Sequence, residues 1–230
     1  MRGFAKCTFI IVSGLAIWGS CIAHAQGINL AWDECGSGGA TNKDFACSTN
    51  AGTEDLVVSF AMRQLPAALD ALGVTILIYA PDDSVVPNWW MLGDGLCREG
   101  SVSIVTGVGE GSCLLVPPPS GTQLYFSPRE RMDNQAGLGA GVFFSPGWEI
   151  TPYAEYLAAR LVLRNSKTVG TDSCGGCSQK AVLTLEQVTF VTVMGIQGLY
   201  QPLRQNVVTW QAGIVPTRSK TWGQIKGMYR

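Results

Sequence analysis

Residues 153–165, YAEYLAARLVLRN, and Ala181–Thr192, AVLTLEQVTFVT, alternate between apolar and polar side chains. A period of two is typical of a β-strand with one buried face. We therefore predict two strands that form a long hairpin. The face expected to be buried carries Leu157, Ala159, Leu161 and Leu163 in the first strand and Leu183, Leu185 and Val191 in the second. The opposite face is expected to carry Glu155, Arg160 and Arg164 in the first strand and Thr184, Glu186 and Val188 in the second.

Shorter runs with the same alternation lie between connections rich in glycine and proline. They are residues 56–60, 74–79, 101–105, 141–144 and 206–211. Seven or more strands predict an all-β protein, an antiparallel β-sandwich of the jelly-roll or immunoglobulin-like type. Only short helices are expected: one at 66–72, where Pro66 stands early and Gly73 follows, and one carrying Trp222, Ile225 and Tyr229 on one stripe.

The first residues have the features of a signal peptide. Arg2 and Lys6 precede an almost uncharged apolar run, and Ala23-His24-Ala25 provides small residues for cleavage before Gln26. The alternative is a lipoprotein acylated on Cys21. We expect a signal peptide at 1–25, a sandwich domain at 26–216 and a basic amphipathic tail at 217–230. No later run is long enough to span a membrane, so an exported protein is predicted, either secreted or on the cell surface.

Composition excludes several classes of function. Without Arg2 and Lys6 the chain has 14 basic and 17 acidic residues, which makes nucleic acid an unfavourable partner. The single histidine, His24, lies in the predicted signal peptide, so mechanisms that need histidine are excluded from the mature chain. The glycines at 137, 139 and 141 do not complete a dinucleotide-binding motif, because Val142 follows. The pattern favours a protein that is not an enzyme.

Six cysteines remain after position 25, and an even number in an exported chain indicates three disulfides. Six cysteines allow fifteen pairings. Their order favours the three local pairs Cys35–Cys47, Cys97–Cys113 and Cys174–Cys177. The last pair, in Cys-Gly-Gly-Cys, is expected to clip the turn of the long hairpin; a redox motif and a zinc site are the alternatives.

Trp89 and Trp90 are the candidate ligand-binding residues. They follow Pro87 and Asn88 in a predicted loop, and an exposed indole can stack on a sugar ring. The alternative is packing in the core, because adjacent residues of an extended chain point to opposite sides.

Acidic side chains suggest two further sites. A pair of carboxylates could hydrolyse a glycosidic bond without histidine, and the candidate pairs are Asp33 with Glu34, Asp82 with Asp83, and Glu149 with Glu155. Solvated loop acids are the alternative. Calcium is the one cofactor considered, with oxygen ligands from Asp33, Asn42, Asp44 and Asn50, although no EF-hand pattern is present. No other metal or cofactor is expected.

Three segments together resemble a group of secreted bacterial proteins. They are GINLAWDECG at 27–36, KTVG at 167–170 with CGGC at 174–177, and TWGQIKGMYR at 221–230. The resemblance implies a bacterial exported protein and transfers no site residues. The basic tail either docks on the sandwich as a helix or serves as a sorting signal.

The sequence therefore predicts a non-catalytic binding or structural module at the bacterial surface or in the medium. Its expected partner is an extracellular polysaccharide or a surface protein. A glycosidase or lyase that uses carboxylates alone, and a subunit of an extracellular assembly, are the alternatives. A long unprotected edge strand would favour the assembly.

Overall fold

The computed structural model describes residues 27–62, 68–81, 85–105, 113–114, 120–128, 134–149, 151–192, 194–199 and 203–212. This part of the chain forms two packed β-sheets and two short 3-10 turns, Gly36–Gly38 and Asn88–Trp90, without an α-helix. The predicted all-β sandwich is confirmed. The predicted signal peptide and the basic tail lie outside the described residues.

The first sheet has five strands. They are β1 (Gly27–Trp32), β3 (Thr53–Ala61), β5 (Val102–Val105), β8 (Glu155–Arg164) and β11 (Leu203–Gln205). Their order across the sheet is β11-β1-β3-β8-β5. All neighbours are antiparallel except β1 and β11.

The second sheet has seven strands. They are β2 (Asn42–Lys43), β4 (Leu69–Tyr79), β6 (Gly121–Pro128), β7 (Gln135–Trp148), β9 (Ala181–Thr192), β10 (Gly195–Leu199) and β12 (Val207–Trp210). Their order is β2-β12-β9-β4-β7-β6, and β10 also pairs with β9. Strand β6 is thus the outermost strand beside β7.

The core fills the space between the sheets. Inward residues of the first sheet, such as Leu30, Val58 and Leu161, meet inward residues of the second, such as Ile76 and Leu183. All of these side chains are buried. Burial of apolar side chains from both inner faces is what holds the two layers together.

Most predicted strands are present, and all five shorter runs overlap one. Residues 56–60 lie in β3, 74–79 in β4, 101–105 overlap β5, 141–144 lie in β7 and 206–211 overlap β12. The predicted helix at 66–72 is wrong where the structure describes it, because Leu69 to Leu72 begin β4 and pair with β9. Burial of Leu69 and Leu72 in the core outweighs the local proline and glycine signals.

A β-bulge in each of the two longest predicted strands changes which residues face the core. In β8, Val58 pairs with Ala159 and Ser59 with Leu157, so the extra residue Ala158 turns Leu157 to the outside. A bulge inverts the alternation because one residue is left unpaired. The prediction that Leu157 faces the core with Leu161 is therefore wrong.

The bulge in β9 acts in the same way. Thr75 pairs with Gln187 and Ile76 with Leu185, which leaves Glu186 as the extra residue. Val188 consequently lies in the core, and Val191 does not. The two were predicted on the opposite faces.

The predicted long hairpin is also wrong. Strand β8 belongs to the five-stranded sheet and β9 to the seven-stranded sheet, so residues 165–180 cross from one layer to the other. The edges of β8 are occupied by β3 and β5, while β9 pairs with β4, β10 and β12. Two strands that each complete a different sheet cannot pair with each other.

The six cysteines among the described residues all form disulfides, and none of the three predicted local pairs is correct. The bonds are Cys35–Cys113, Cys47–Cys177 and Cys97–Cys174. They close loops of 78, 130 and 77 residues, so each joins connections that are remote in sequence. The two cysteines of Cys-Gly-Gly-Cys are therefore bonded to different partners, Cys97 and Cys47. They do not form a disulfide with each other, as a turn disulfide or a redox pair would. Three disulfides indicate an oxidising, extracellular or surface location.

Candidate functional site

Strand β7 exposes its backbone on the outer surface of the seven-stranded sheet. Leu138, Ala140 and Val142 point into the core, so Gly139 and Gly141 between them face outward. Gly73 of β4 pairs with Gly141 and faces the same way. We call the surface formed by Gly73, Gly139 and Gly141 the glycine lane. Glycine weakens a strand, and in strands it marks places where another group approaches the backbone closely.

An aromatic ring lies flat on one end of this lane. Tyr125 of β6 pairs with Gly139, and a Cβ atom on Gly139 would overlap the Tyr125 ring. The Tyr125 hydroxyl reaches across β7 to within 3.4 Å of the Thr75 Oγ1 on β4. The side chain is 50% exposed, so one face of the ring covers the backbone and the other faces solvent.

A second exposed ring stands farther along β7. Phe143 has the same outward orientation as Gly141, and its ring lies 3.6 Å from the place of a Cβ atom on Gly141. Phe143 is 43% exposed. The backbone of Phe143 is four positions along the strand from Gly139, about 13 Å at a strand rise of ~3.3 Å per residue, and its ring leans back toward Gly141. The two rings therefore form a line along β7.

Polar but uncharged side chains border the lane. One row across the sheet runs from Gln123 through Gly141 and Gly73 to Thr189. The next row ends at Gln187, whose Nε2 donates a hydrogen bond of 2.7 Å to the Thr189 Oγ1. Strands β4, β6, β7 and β9 contain no lysine, arginine or histidine. The surface therefore offers amides, hydroxyls and ring faces.

The predicted platform residues Trp89 and Trp90 lie elsewhere. Both residues are 0% exposed and lie in the 3-10 turn Asn88–Trp90. Trp89 stacks on Trp210 with 4.7 Å between ring centroids, and its Nε1 donates to the Thr168 Oγ1. The two tryptophans pack in the core, as the alternative interpretation of this pair predicted. The prediction of an exposed sugar platform at these two residues is corrected, because neither indole has a face open to solvent.

A buried cation supports this tryptophan cluster. The Arg98 guanidinium lies 3.6 Å from the centroid of the Trp89 ring and is fully buried. It donates hydrogen bonds to the carbonyl oxygens of Trp89, Arg164 and Ser166. Burial lowers the pKa of Arg98 to about 10, so the group remains protonated at neutral pH. Arg98 thus fixes the loop of Trp89 to the end of β8.

The predicted calcium ligands are engaged in other contacts. The Lys43 Nζ lies 2.7 Å from both an Asp33 and a Glu54 carboxylate oxygen. The Asn50 Oδ1 accepts hydrogen bonds from the backbone N–H groups of Thr168 and Val169. The remaining pair meets side chain to side chain: Asn42 Nδ2 donates to Asp44 Oδ2. Within the described residues, no group of three or more histidine, cysteine or acidic side chains is arranged to hold a metal ion.

Lys43 is held in its charged form. Burial alone would lower its pKa, but hydrogen bonds to Asp33 and Glu54 together with their charges outweigh burial and raise the pKa above 10.5. The side chain is 23% exposed, and the Glu54 side chain is 10% exposed. This ion pair joins β2 of one sheet to β3 of the other.

The acid pairs proposed for catalysis are separated from the glycine lane. The Glu155 Oε1 accepts hydrogen bonds from the Asn29 Nδ2 at 2.9 Å and the Ser59 Oγ at 2.7 Å, on the outer face of the five-stranded sheet. Glu149 is an exposed residue directly after β7. Asp82 and Asp83 lie outside the described residues.

A groove of about 440 Å³ opens between the loop at 91–100 and strand β6. It is lined by one acid, Asp94, two glycines and seven larger side chains: Leu92, Leu96, Val102, Leu124, Tyr125, Phe126 and Leu138. Leu92 and Leu138 also belong to the core, so the groove is the open side of the sandwich. Among the helices in the described ranges, none is long and apolar enough to cross a membrane.

Sequence reasoning missed Tyr125, Phe143 and the glycine lane. The signal that could have found them was glycine at every second position in 137–141, which was considered only as a nucleotide-binding motif. Within a strand, that spacing places every glycine on one face. The register that brings Tyr125 onto Gly139 is a tertiary feature and has no local signal.

The chain matches no protein-family model and no curated protein. Among solved structures it is similar to a cohesin module from the family 33 glycoside hydrolase of Clostridium perfringens, with a TM-score of 0.35 and 10% identity over 80% of this chain and 94% of that chain. It is also similar to the sixth cohesin of scaffoldin B from Acetivibrio cellulolyticus, solved in complex with a mutant Cel5 dockerin, with a TM-score of 0.34 and 12% identity over 80% of this chain and 98% of that chain. Likenesses this distant assign no site residue and no partner.

Proposed function

We propose that this protein is an extracellular, non-catalytic module that binds carbohydrate on the glycine lane. The observation that carries the proposal is the Tyr125 ring, which lies flat on Gly139 with its outer face exposed. The carbon-bound hydrogens of a sugar ring pack well on an aromatic face through apolar and π contacts. Tyr125 takes over the role that the sequence suggested for Trp89 and Trp90.

The geometry of the lane suits such a ligand. Tyr125 is already supported by backbone beneath it and by Thr75 at its hydroxyl, so little side-chain freedom is lost on binding. Gly73 leaves the neighbouring floor without side chains. Gln123 and Thr189 stand on either side and can exchange hydrogen bonds with sugar hydroxyls.

The test is retention of the purified, oxidised protein on insoluble polysaccharides and peptidoglycan. We expect Tyr125→Ala and Phe143→Ala each to weaken retention about tenfold, which corresponds to ~1.4 kcal/mol for one lost ring contact. Tyr153→Ala is the matched control, because Tyr153 is 45% exposed and lies in the turn before β8, away from the lane. Equal loss in the control, or no retention on any matrix, would contradict the proposal.

A second candidate function is a subunit of an extracellular assembly. The observation that favours it is strand β6, an outermost strand of eight residues without a charged side chain. Natural edge strands usually carry charges or bulges that prevent pairing with another chain. The corresponding assembly is a dimer in which two copies pair through β6.

Sedimentation equilibrium over a wide range of concentrations tests the assembly. If it forms through β6, the wild-type protein dimerises and Thr122→Lys, which places a charge at an exposed position of that strand, remains monomeric. A wild-type protein that is monomeric throughout would exclude this second function and leave the first intact.

A further inference from the structure

The side chains around the glycine lane limit the class of polysaccharide that it can bind. Resting on the proposed function, we infer that the lane selects a neutral, extended polysaccharide chain that runs along β7. Three features carry this inference: the absence of cationic side chains from β4, β6, β7 and β9, the line formed by the two rings, and the open floor beside them.

The charge on the surface argues against acidic polysaccharides. No lysine, arginine or histidine occurs in β4, β6, β7 or β9. Their only acids are Asp70 and Glu186, and Glu186 is exposed at the bulge of β9. A chain of uronic acids or sulfated sugars would find no counter-charge on these strands. A neutral chain loses nothing from this arrangement.

The two rings argue for an extended chain. The Tyr125 ring covers Gly139 of β7, and the Phe143 ring lies on the same face of β7 and reaches to within 3.6 Å of the place of a Cβ atom on Gly141, two residues farther along. A straight, ribbon-like chain of β-linked hexoses reaches both rings at once. A chain that coils, such as an α-linked glucan, presents its sugar faces in changing directions and meets one ring at a time. Once the chain is bound to one ring, its contact with the second ring is effectively an intramolecular step. The two contacts together therefore increase avidity.

The floor beside the rings admits the chain without rearrangement. A Cβ atom on Gly73 would meet only the Thr189 Cβ, at 3.6 Å, which is ordinary contact distance. Gly73 therefore has room for a side chain, and the packing of the protein does not require glycine there. Because Gly73 has no side chain, the surface here lies at the level of the backbone. A sugar can therefore approach the side-chain amides of Gln123 and Gln187.

Affinity electrophoresis of the whole exported chain tests the inference. The gels contain glucomannan or mixed-linkage β-glucan as neutral extended chains, glycogen as a neutral coiled chain, or alginate as an acidic extended chain. Each gel is run at low salt and at about 0.5 M NaCl, where the Debye length is only ~4 Å. We expect retardation at least tenfold stronger with the neutral extended chains than with glycogen or alginate, and no change with salt.

The outcomes separate this inference from the proposed function. Equal retardation by glycogen would overturn the extended chain, and retardation by alginate that salt removes would overturn the neutral ligand; both would leave a carbohydrate-binding protein. No retardation by any polymer overturns both. A matched variant, Val191→Lys, adds one cation on the same face of β9, in the row of Phe143, and is expected to gain salt-sensitive retardation by alginate while it keeps its retardation by glucomannan. If that gain does not occur, the lane is not the surface that contacts the polymer.

Discussion

Gly139 and Gly141 lie on one face of β7. Replacing each by alanine should change the free energy of unfolding in opposite directions. A Cβ atom on Gly139 would overlap the Tyr125 ring, whereas one on Gly141 would meet Phe143 at 3.6 Å and the Gln123 carbonyl oxygen at 3.8 Å. Gly139→Ala therefore displaces the tyrosine, and Gly141→Ala makes ordinary contacts. The two sites share strand, face and backbone region, so each is a control for the other.

The magnitudes follow from the exposed fraction of Tyr125. A tyrosine can bury about 200 Å², and half of that at ~25 cal/mol per Å² is about 2.5 kcal/mol lost if the ring swings off the sheet. Replacing glycine by alanine in a strand returns roughly 0.5–1 kcal/mol. We expect Gly139→Ala to lower the free energy of unfolding by about 1.5–2 kcal/mol and Gly141→Ala to raise it by about 0.5–1 kcal/mol.

Urea denaturation of both variants, with and without Tyr125→Ala, measures these changes. In the Tyr125→Ala background the cost of Gly139→Ala should disappear, because no ring remains to be displaced. If Gly139→Ala is as stable as Gly141→Ala with Tyr125 present, the ring does not lie on Gly139. The central observation behind the binding surface would then be refuted.

Three further changes test other parts of the structure. Gly73→Val should raise the unfolding free energy by up to about 1 kcal/mol, because a β-branched residue suits a strand, while retention on polysaccharide falls at least tenfold; retention at the wild-type level would exclude the lane. Replacing Cys47 and Cys177 by serine should lower the urea midpoint by the equivalent of about 5 kcal/mol, since a loop of 130 residues is released; an unchanged midpoint would refute that bond. Lys43→Met should cost about 1 kcal/mol at neutral pH. Because the folded pKa of Lys43 is raised, its stabilisation is complete below 10.5 and is lost as the pH rises through the folded value. Thermal melts of wild type and variant should therefore converge in strong alkali, and a constant gap would contradict the ion pair.

The alternation of apolar and polar residues predicted the positions of these strands well. It predicted poorly which of their side chains face the core. The predicted limits of β9 are the observed ones, Ala181–Thr192, and β8 lies within the predicted 153–165. The bulges at Ala158 and Glu186 depend on how neighbouring strands pair, so the sequence of one strand contains no record of them. The sequence did not predict that β8 and β9 belong to different sheets for a similar reason. Which strands pair with each other is decided by the packing of the whole core.

The site was harder to predict than the fold. Trp89 and Trp90 are adjacent aromatics, and adjacency alone does not distinguish an exposed platform from a packed cluster. Tyr125 and Phe143 lie 18 positions apart in the chain and are brought onto one surface only by the register of β6 with β7. The surface that they form becomes visible when the glycines between them are placed on one face.

The connectivity of the disulfides has a consequence for the production of this protein. Cysteines that oxidise in their order of emergence would pair 35 with 47, 97 with 113 and 174 with 177, and none of these is a native bond. Each such premature bond must be opened by thiolate attack and exchanged before the sheets can close. A host that secretes this chain in good yield therefore needs an isomerase as well as an oxidase. Refolding in vitro needs a mixture of reduced and oxidised thiol rather than simple air oxidation.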